Sequence, residues 1–528
     1  MMTQRTVTRM LAVLFIVLAW SACTITAWGG NETTGEADPD ATTAVAGSPG
    51  RADGPAQSAT HAEVSDVAAP ETPDWSDFAP SDFVTPPDFE TNVDYSEWYE
   101  TTLLGKPEDN AYHAYAEFMP GPDDESGGKP EWPELRNMFS DGDRQKPPGP
   151  WRPEEHPEWT RSDAEVQALL QKFRDATGHE GYAQPVLRAA SDADAPGGDD
   201  GLLISLLLPQ LRAHRQLVKA ELADSWRTDG SGRVSAKRMM EAWRTALRGA
   251  AHLSQGATLI EELVALAERN LVRDNARWAL HHGVVSAEAA LAAALELFAK
   301  YDHRDPDPIL AVRGEHATAM DLTQYVFKPA EPGGPLRLNR ERAAKVLSGM
   351  DSSKVDQDAA LAELAELSPK NLRASVESID RYYRLLARQL RLGYPQVRAA
   401  DVKALREQHV GDDPWGRLIV PDLGQVLKAR TRGIASRRAT QLTLAVHLFK
   451  ARHGRWPASL DELPAEHKGD TPIDPFTGRN FVYRLNDDGP TIYSASENGV
   501  DDAGRHSPRW DDEKAGDSDD FVFWPPQP

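Results

Sequence analysis

The sequence predicts a mainly α fold: a multi-helical ectodomain closed by a small C-terminal α+β domain. Three observations predict it. Apolar residues recur at helical spacing between residues 109 and 421, as in Leu259, Ile260, Leu263, Val264 and Ala267, or Tyr382, Leu385, Leu386 and Leu390. That spacing puts them on one face of a helix. Near the end the pattern changes to short β-rich runs, Phe481-Val482-Tyr483 and Thr491-Ile492-Tyr493, around the hairpin signal Asn486-Asp487-Asp488-Gly489. At the beginning, Arg5 and Arg9 precede an uncharged run of nineteen residues, Met10 to Trp28.

That run sets the expected topology. Basic residues before it and acidic residues after it leave the N-terminus inside and send the body out of the cytoplasm. Residues 1–28 read as a cleaved secretory signal, as an uncleaved helix just long enough to span a bilayer, or as a lipoprotein signal in which Ser21-Ala22-Cys23 makes Cys23 the lipid anchor. All three mean export to the cell envelope, and an anchored form is favoured. Trp20 stands where lipoproteins usually carry Leu. The membrane is thus one expected partner, through the N-terminus.

Residues 29–74 are rich in Ala, Thr, Asp, Pro and Gly, have no Phe, Trp or Tyr, and have Arg51 as their only Lys or Arg. Such a segment cannot bury enough surface to offset its ordering entropy, so a disordered tether is expected. Residues 75–108 bring acid–aromatic pairs: Asp74-Trp75, Asp77-Phe78, Asp82-Phe83, Asp88-Phe89 and Asp94-Tyr95, kept extended by Pro80, Pro86 and Pro87. These aromatics either dock on a protein partner or pack on the chain's own helical domain. The second reading is favoured, because exposed aromatics are a liability in an exported chain.

In the helical domain, residues 109–421, the run Leu202 to Leu211 is apolar nearly all round. It predicts a central buried helix, kinked or interrupted at Pro209. Ser191 to Asp200, Tyr301 to Pro308 and Pro329 to Pro335 read as loops. Residues 422–528 form the last unit. Leu442, Ala445, Val446 and Phe449 give a helical stripe, Gly454 ends it, and Pro457 is placed to open a short helix over Asp461-Glu462-Leu463. Pro472 and Asp474-Pro475 then make a turn before the two strands. No acidic residue lies between Asp422 and Asp461, an interval holding Lys428, Arg430, Arg432, Arg437, Arg438, Lys450, Arg452 and Arg455. Facing the acidic tail is the simplest use of that basic surface.

The order Arg452-His453-Gly454-Arg455-Trp456-Pro457, short helix, Asp474-Pro475-Phe476-Thr477-Gly478, hairpin and acidic loop resembles the globular head of the major pseudopilin of type II secretion. It resembles also the heads of uncharacterised bacterial envelope proteins. There are departures. The Asp474–Gly478 turn is one residue longer, Ser496 and Asn498 stand where that family has Gly and Asp, and no pilin processing site precedes the N-terminal apolar run. Thr258-Leu259-Ile260-Glu261 is a chance echo of that site. The resemblance therefore implies a shared head, not assembly into a pseudopilus. It also implies a calcium site, to which Asn498, Asp501, Asp502, Asp519 and Asp520 are the matching positions. From the residues alone, the turn Asn498–Asp502 and the acids Asp517, Asp519 and Asp520 concentrate the oxygens that a hard cation needs, and Phe521–Trp524 can tuck the tail against the sheet. The alternative is a solvated acidic tail paired with Arg437, Arg438 or Arg455.

Composition excludes several classes. A net charge of −24 over 528 residues argues against nucleic acid as a partner. One cysteine rules out an intramolecular disulfide framework or a Cys-based zinc cluster. There is no phosphate loop, G-x-S-x-G elbow or His-Glu-x-x-His. His303-Arg304-Asp305 mimics a kinase triplet without the rest of that set. His281-His282 lacks the spacing of a metal pair, and His447 reads as packed. The leading expectation is a non-enzymatic, membrane-tethered scaffold or binding protein. The rivals are an extracytoplasmic hydrolase with a carboxylate-based site in the helical domain and an accessory component of a secretion apparatus.

Overall fold

The computed structural model describes residues 82–89, 93–105, 107–119, 149–160, 163–184, 208–256, 258–303, 308–329, 334–348, 355–467, 470–507 and 519–527. The run Met10–Trp28 with Cys23, the linker 29–74, Trp75, Phe78 and Asp517 lie outside them. The protein is mainly helical, with a small three-stranded sheet at the C-terminus. No helix among the described residues is long and apolar enough to cross a membrane.

The acid–aromatic segment is part of the core. Phe83, Phe89 and Tyr95 are all buried, while Asp94 caps the short helix α1 (Tyr95–Trp98), which runs on as a π-helical turn, Tyr99–Leu104. In the three described pairs, the alternation of acid and aromatic gives the acid to a cap or the surface and the ring to the interior. α2 (Ala111–Ala116), α3 (Pro157–Thr160) and α4 (Asp163–Ala176) follow. α5 (Leu208–Ser225) follows. Of the apolar run Leu202–Leu211 only Leu208–Leu211 is described, and these residues are helical.

α6 (Ala236–Leu253) is capped by Ser235, and α7 (Leu259–His281) by a Thr258–Glu261 capping box. The sequence Thr258–Glu261 is therefore a helix start. α8 (Glu288–Tyr301) and α9 (Pro308–Val326) precede a small hairpin, β1 (Phe327–Pro329) with β2 (Leu336–Leu338). The expected loop Pro329–Pro335 is the connection of that hairpin. Then come α10 (Arg340–Ser348), α11 (Gln357–Ala365), α12 (Pro369–Leu392), α13 (Ala399–Val410) and α14 (Gly416–Ile419).

The longest element is α15 (Gly424–His453), thirty residues ended by Gly454 in the left-handed conformation. It packs on α7, α8 and α13 and, toward its end, on the C-terminal sheet. One apolar cluster gathers side chains from 83–103 and 309–427, and a second gathers them from 111–298 and 435–524. α15 contributes Val426 and Leu427 to the first cluster and Leu442, Val446 and Phe449 to the second.

A buried ionic network fixes α15 to the body. Asp302, fully buried at the end of α8, accepts from Arg273 Nε at 2.8 Å and Nη2 at 2.7 Å. Arg269 reaches the same carboxylate at 3.4 Å. Arg273 also donates to the carbonyl of Gly433 at 2.8 Å. Gly433 lets α15 approach this closely, since a Cβ there would collide with Leu266. Arg277 donates to Thr440 Oγ1 at 2.5 Å.

After Gly454, the short helix appears as a single 3₁₀ turn, Leu460–Glu462, with another at Ala465–His467. β3 (Val482–Asn486) and β4 (Gly489–Ser494) pair through Asn486 and Gly489, leaving Asp487-Asp488 as the turn. β5 (Phe521–Trp524) pairs antiparallel with β4, so the tail does close the sheet. His447 is packed as expected, with its ring edge-on to Trp456 and Trp524. Burial and the nearby Lys450 push its pKa down to about 4.

Candidate metal centre

The site lies where the loop after β4 meets the residues that lead into β5. Each part is positioned by a local constraint. The turn at Asp474 is anchored to β4, because the buried Asp474 carboxylate accepts from Ser494 Oγ at 2.9 Å and from Phe476 N at 3.0 Å. Burial raises the Asp474 pKa to about 6. The chain leaves β4 through Ser496, Gly499, Ala503 and Gly504, all in the left-handed region, with φ of 48°, 66°, 66° and 73°. This folds the acidic loop back toward the returning tail.

Three of the expected residues come together. Asp502, Asp519 and Asp520 each place a carboxylate oxygen within 4.8 Å of the others. Asp520 is fully buried, and one oxygen accepts from Gly504 N at 2.8 Å. Desolvation, followed by repulsion from Asp502 and Asp501, raises its pKa to about 6. Asp519 accepts from Asn498 N at 3.0 Å through Oδ2, while its buried Oδ1 accepts no hydrogen bond from the described residues. Its pKa is also raised, by desolvation and then by Glu497 and Asp502. Crowded carboxylates, with the pKa values of Asp519 and Asp520 raised and a buried oxygen that has no donor among the described residues, fit a hard divalent cation, which neutralises the charge and takes oxygen ligands.

The remaining residues are used otherwise. Asp501 is held outward by Arg484, at 2.8 and 3.0 Å, and accepts from Tyr493 Oη at 2.6 Å. Its pKa is lowered, with the Tyr493 hydrogen bond outweighing desolvation in company with Ala503 N and Arg484. Asn498 Oδ1 accepts from Val500 N at 2.6 Å, closing its own turn. Its backbone N–H is what touches the acidic group. Sequence reasoning missed Arg484, which lies seventeen residues before Asp501 and donates to it from β3. A cation two residues into β3 was the available signal.

The basic interval finds other partners. Lys428 pairs with Glu497 at 3.0 Å and Arg432 with the same carboxylate at 3.5 Å. Arg438 donates to the Ile473 carbonyl at 2.9 Å, and Arg455 pairs with Glu462 at 2.7 Å. Part of α15 therefore does face the loop after β4, through Glu497.

No protein-family model matches the chain, and neither a curated protein nor a solved structure matches it.

Proposed function

We propose that this is an extracytoplasmic protein, held at a membrane by its N-terminal segment, whose helical body carries a pseudopilin-like head locked by calcium. Its role is that of a scaffold or binding protein. The observation that carries the reading is the Asp502–Asp519–Asp520 cluster joining the loop after β4 to the start of β5. A cation there would fasten the closing strand, with loop carbonyls and water completing the oxygen shell.

Two further features support the head. A long helix ending at a left-handed Gly454, a turn at Asp474, a hairpin and a closing strand follow in the order of the pseudopilin head. Ser496, which stands where that family has Gly, keeps a left-handed φ of 48°. The backbone requirement for glycine thus persists although the residue has changed.

The metal reading is tested by terbium luminescence, sensitised through the neighbouring Tyr493. Calcium should displace terbium, and Asp519→Asn together with Asp520→Asn should abolish the signal. A signal unchanged by both substitutions would remove the site. The tether is tested by fractionation. The native protein should sediment with membranes, and Cys23→Ser should release it if the anchor is a lipid. Recovery of native protein in the cytoplasm would contradict the reading.

A further inference from the structure

We propose that the cleft between α4 and α6 binds an acidic saccharide: a hydroxylated ring bearing one carboxylate. α5 packs against both helices and floors the cleft. Its volume is about 510 Å³, within the range of roughly 300–1,000 Å³ usual for small-molecule sites. On α6, Arg238, Glu241, Thr245 and Arg248 follow at steps of three, four and three, which aligns them on one face. Gln167, Gln171 and Arg174 line the wall on α4, and Glu221 and Asp224 rise from α5.

The charge of the cleft opposes that of the chain. Five arginines line it against three carboxylates, a surplus of two positive charges in a protein of net charge −24. The arginines are not equally committed. Arg174 is neutralised by Glu221 at 2.8 Å, and Arg227 by Asp163 at 2.9 Å. Arg248 donates only to the carbonyls of Gly178 and His179. Arg238 donates to the carbonyl of Arg227, and its Nε is buried without an acceptor. Arg244, beside the stripe, is exposed and makes no hydrogen bond or ion pair among the described residues. Three guanidinium groups therefore lack a carboxylate, and a carboxylate is what the guanidinium fork accepts most readily.

The rest of the lining narrows the ligand. Tyr301 is its one large ring, and the other side chains are polar or charged, so an apolar ligand has nothing to bury against. The cleft also holds acceptors: Asp224 takes one bond from Gln167 at 3.0 Å, and Glu241 is exposed. A bare dianion would meet these carboxylates with no donor to offer. A sugar acid offers one anionic group to Arg238, Arg244 and Arg248, and hydroxyl donors to the acids and amides. The site takes no residue from the C-terminal head and does not rest on the calcium reading.

Isothermal titration calorimetry on the full chain tests this, with glucuronate, glucose and inorganic phosphate as probes. Glucuronate should bind at least about tenfold more tightly than either of the others, the worth of one charge-assisted hydrogen-bonded group. Arg244→Gln, which breaks no contact of the fold, should weaken glucuronate about tenfold with an unchanged melting temperature. Arg373→Gln, on the exposed side of α12, should leave binding unchanged. Glucose or phosphate matching glucuronate would overturn the proposal. So would the absence of glucuronate binding at tens of millimolar, or an Arg244→Gln variant that binds as the parent does.

Discussion

At the scale of single residues, the acidic loop stores unfavourable features that a cation would relieve. Asp520 has a folded pKa of about 6, raised by desolvation and then by its acidic neighbours, against about 3.9 in an unfolded chain. A raised carboxyl pKa means that the folded state holds the proton more tightly. Its contribution to stability is fully present below about pH 4 and is lost as pH rises through about 6. Without calcium, Asp520→Asn should therefore raise the melting temperature at pH 7, whereas with calcium it should lower it. The same sign in both conditions would argue against metal binding. The histidines act in the other direction. His506 is pushed down to about 4 by burial and accepts from Val522 N at 3.1 Å. Stability from keeping it neutral is present above about 6.5 and is lost as pH falls toward 4. Carbon-detected NMR titration should resolve these opposed steps residue by residue. Ala503 offers a separate test. It is exposed, with a φ of 66°, a conformation that costs a non-glycine residue about 1–2 kcal/mol. Ala503→Gly should stabilise by roughly 0.5–1 kcal/mol once the added freedom of the unfolded chain is counted, measured by denaturant unfolding.

At the scale of elements, α15 is the joint of the molecule. Asp302 is shared by Arg269 and Arg273, and Arg273 ties it to the Gly433 carbonyl. Asp302→Ala would leave two buried guanidinium groups without their anion, at a cost of about 3–5 kcal/mol in unfolding free energy. Glu288→Ala removes only an exposed partner of Arg452 and should leave stability nearly unchanged. The same network explains what the sequence concealed. The end of α15 was legible because Gly454 and the stripe Leu442–Phe449 are local signals. Its first half was not, because the helix is covered by α7, α8 and α13, which smears the apolar period. Buried Thr431, Ser436 and Thr440 also read as surface residues until Arg277 is seen between Ser436 and Thr440. The strands β3 and β4 were legible from short β-rich runs and a turn signal between them. In the metal centre, the acids were visible as composition, but the choice among them depends on Arg484, which captures Asp501. The arginine cleft was missed because its walls come from helices dozens of residues apart, although the stripe on α6 was present in the spacing of Arg238, Glu241, Thr245 and Arg248.

At the scale of the whole molecule, the head does not hang from the body by a linker. The second half of α15 and the C-terminal sheet share one apolar cluster with α4–α8, so a change at the acidic loop is felt in the helical body. Ligand binding confined to the folded state stabilises it by RT ln(1 + [L]/Kd), about 1.4 kcal/mol at tenfold excess over Kd. Extracellular calcium modules have dissociation constants of about 0.1–1 mM. The most direct measurement is thermal melting of the intact protein in calcium and in chelator. The midpoint should rise in millimolar calcium, fall back with chelator, and stay fixed in the Asp519→Ala, Asp520→Ala double variant. A midpoint that does not move with calcium, or that moves equally in the double variant, would contradict a calcium-locked head.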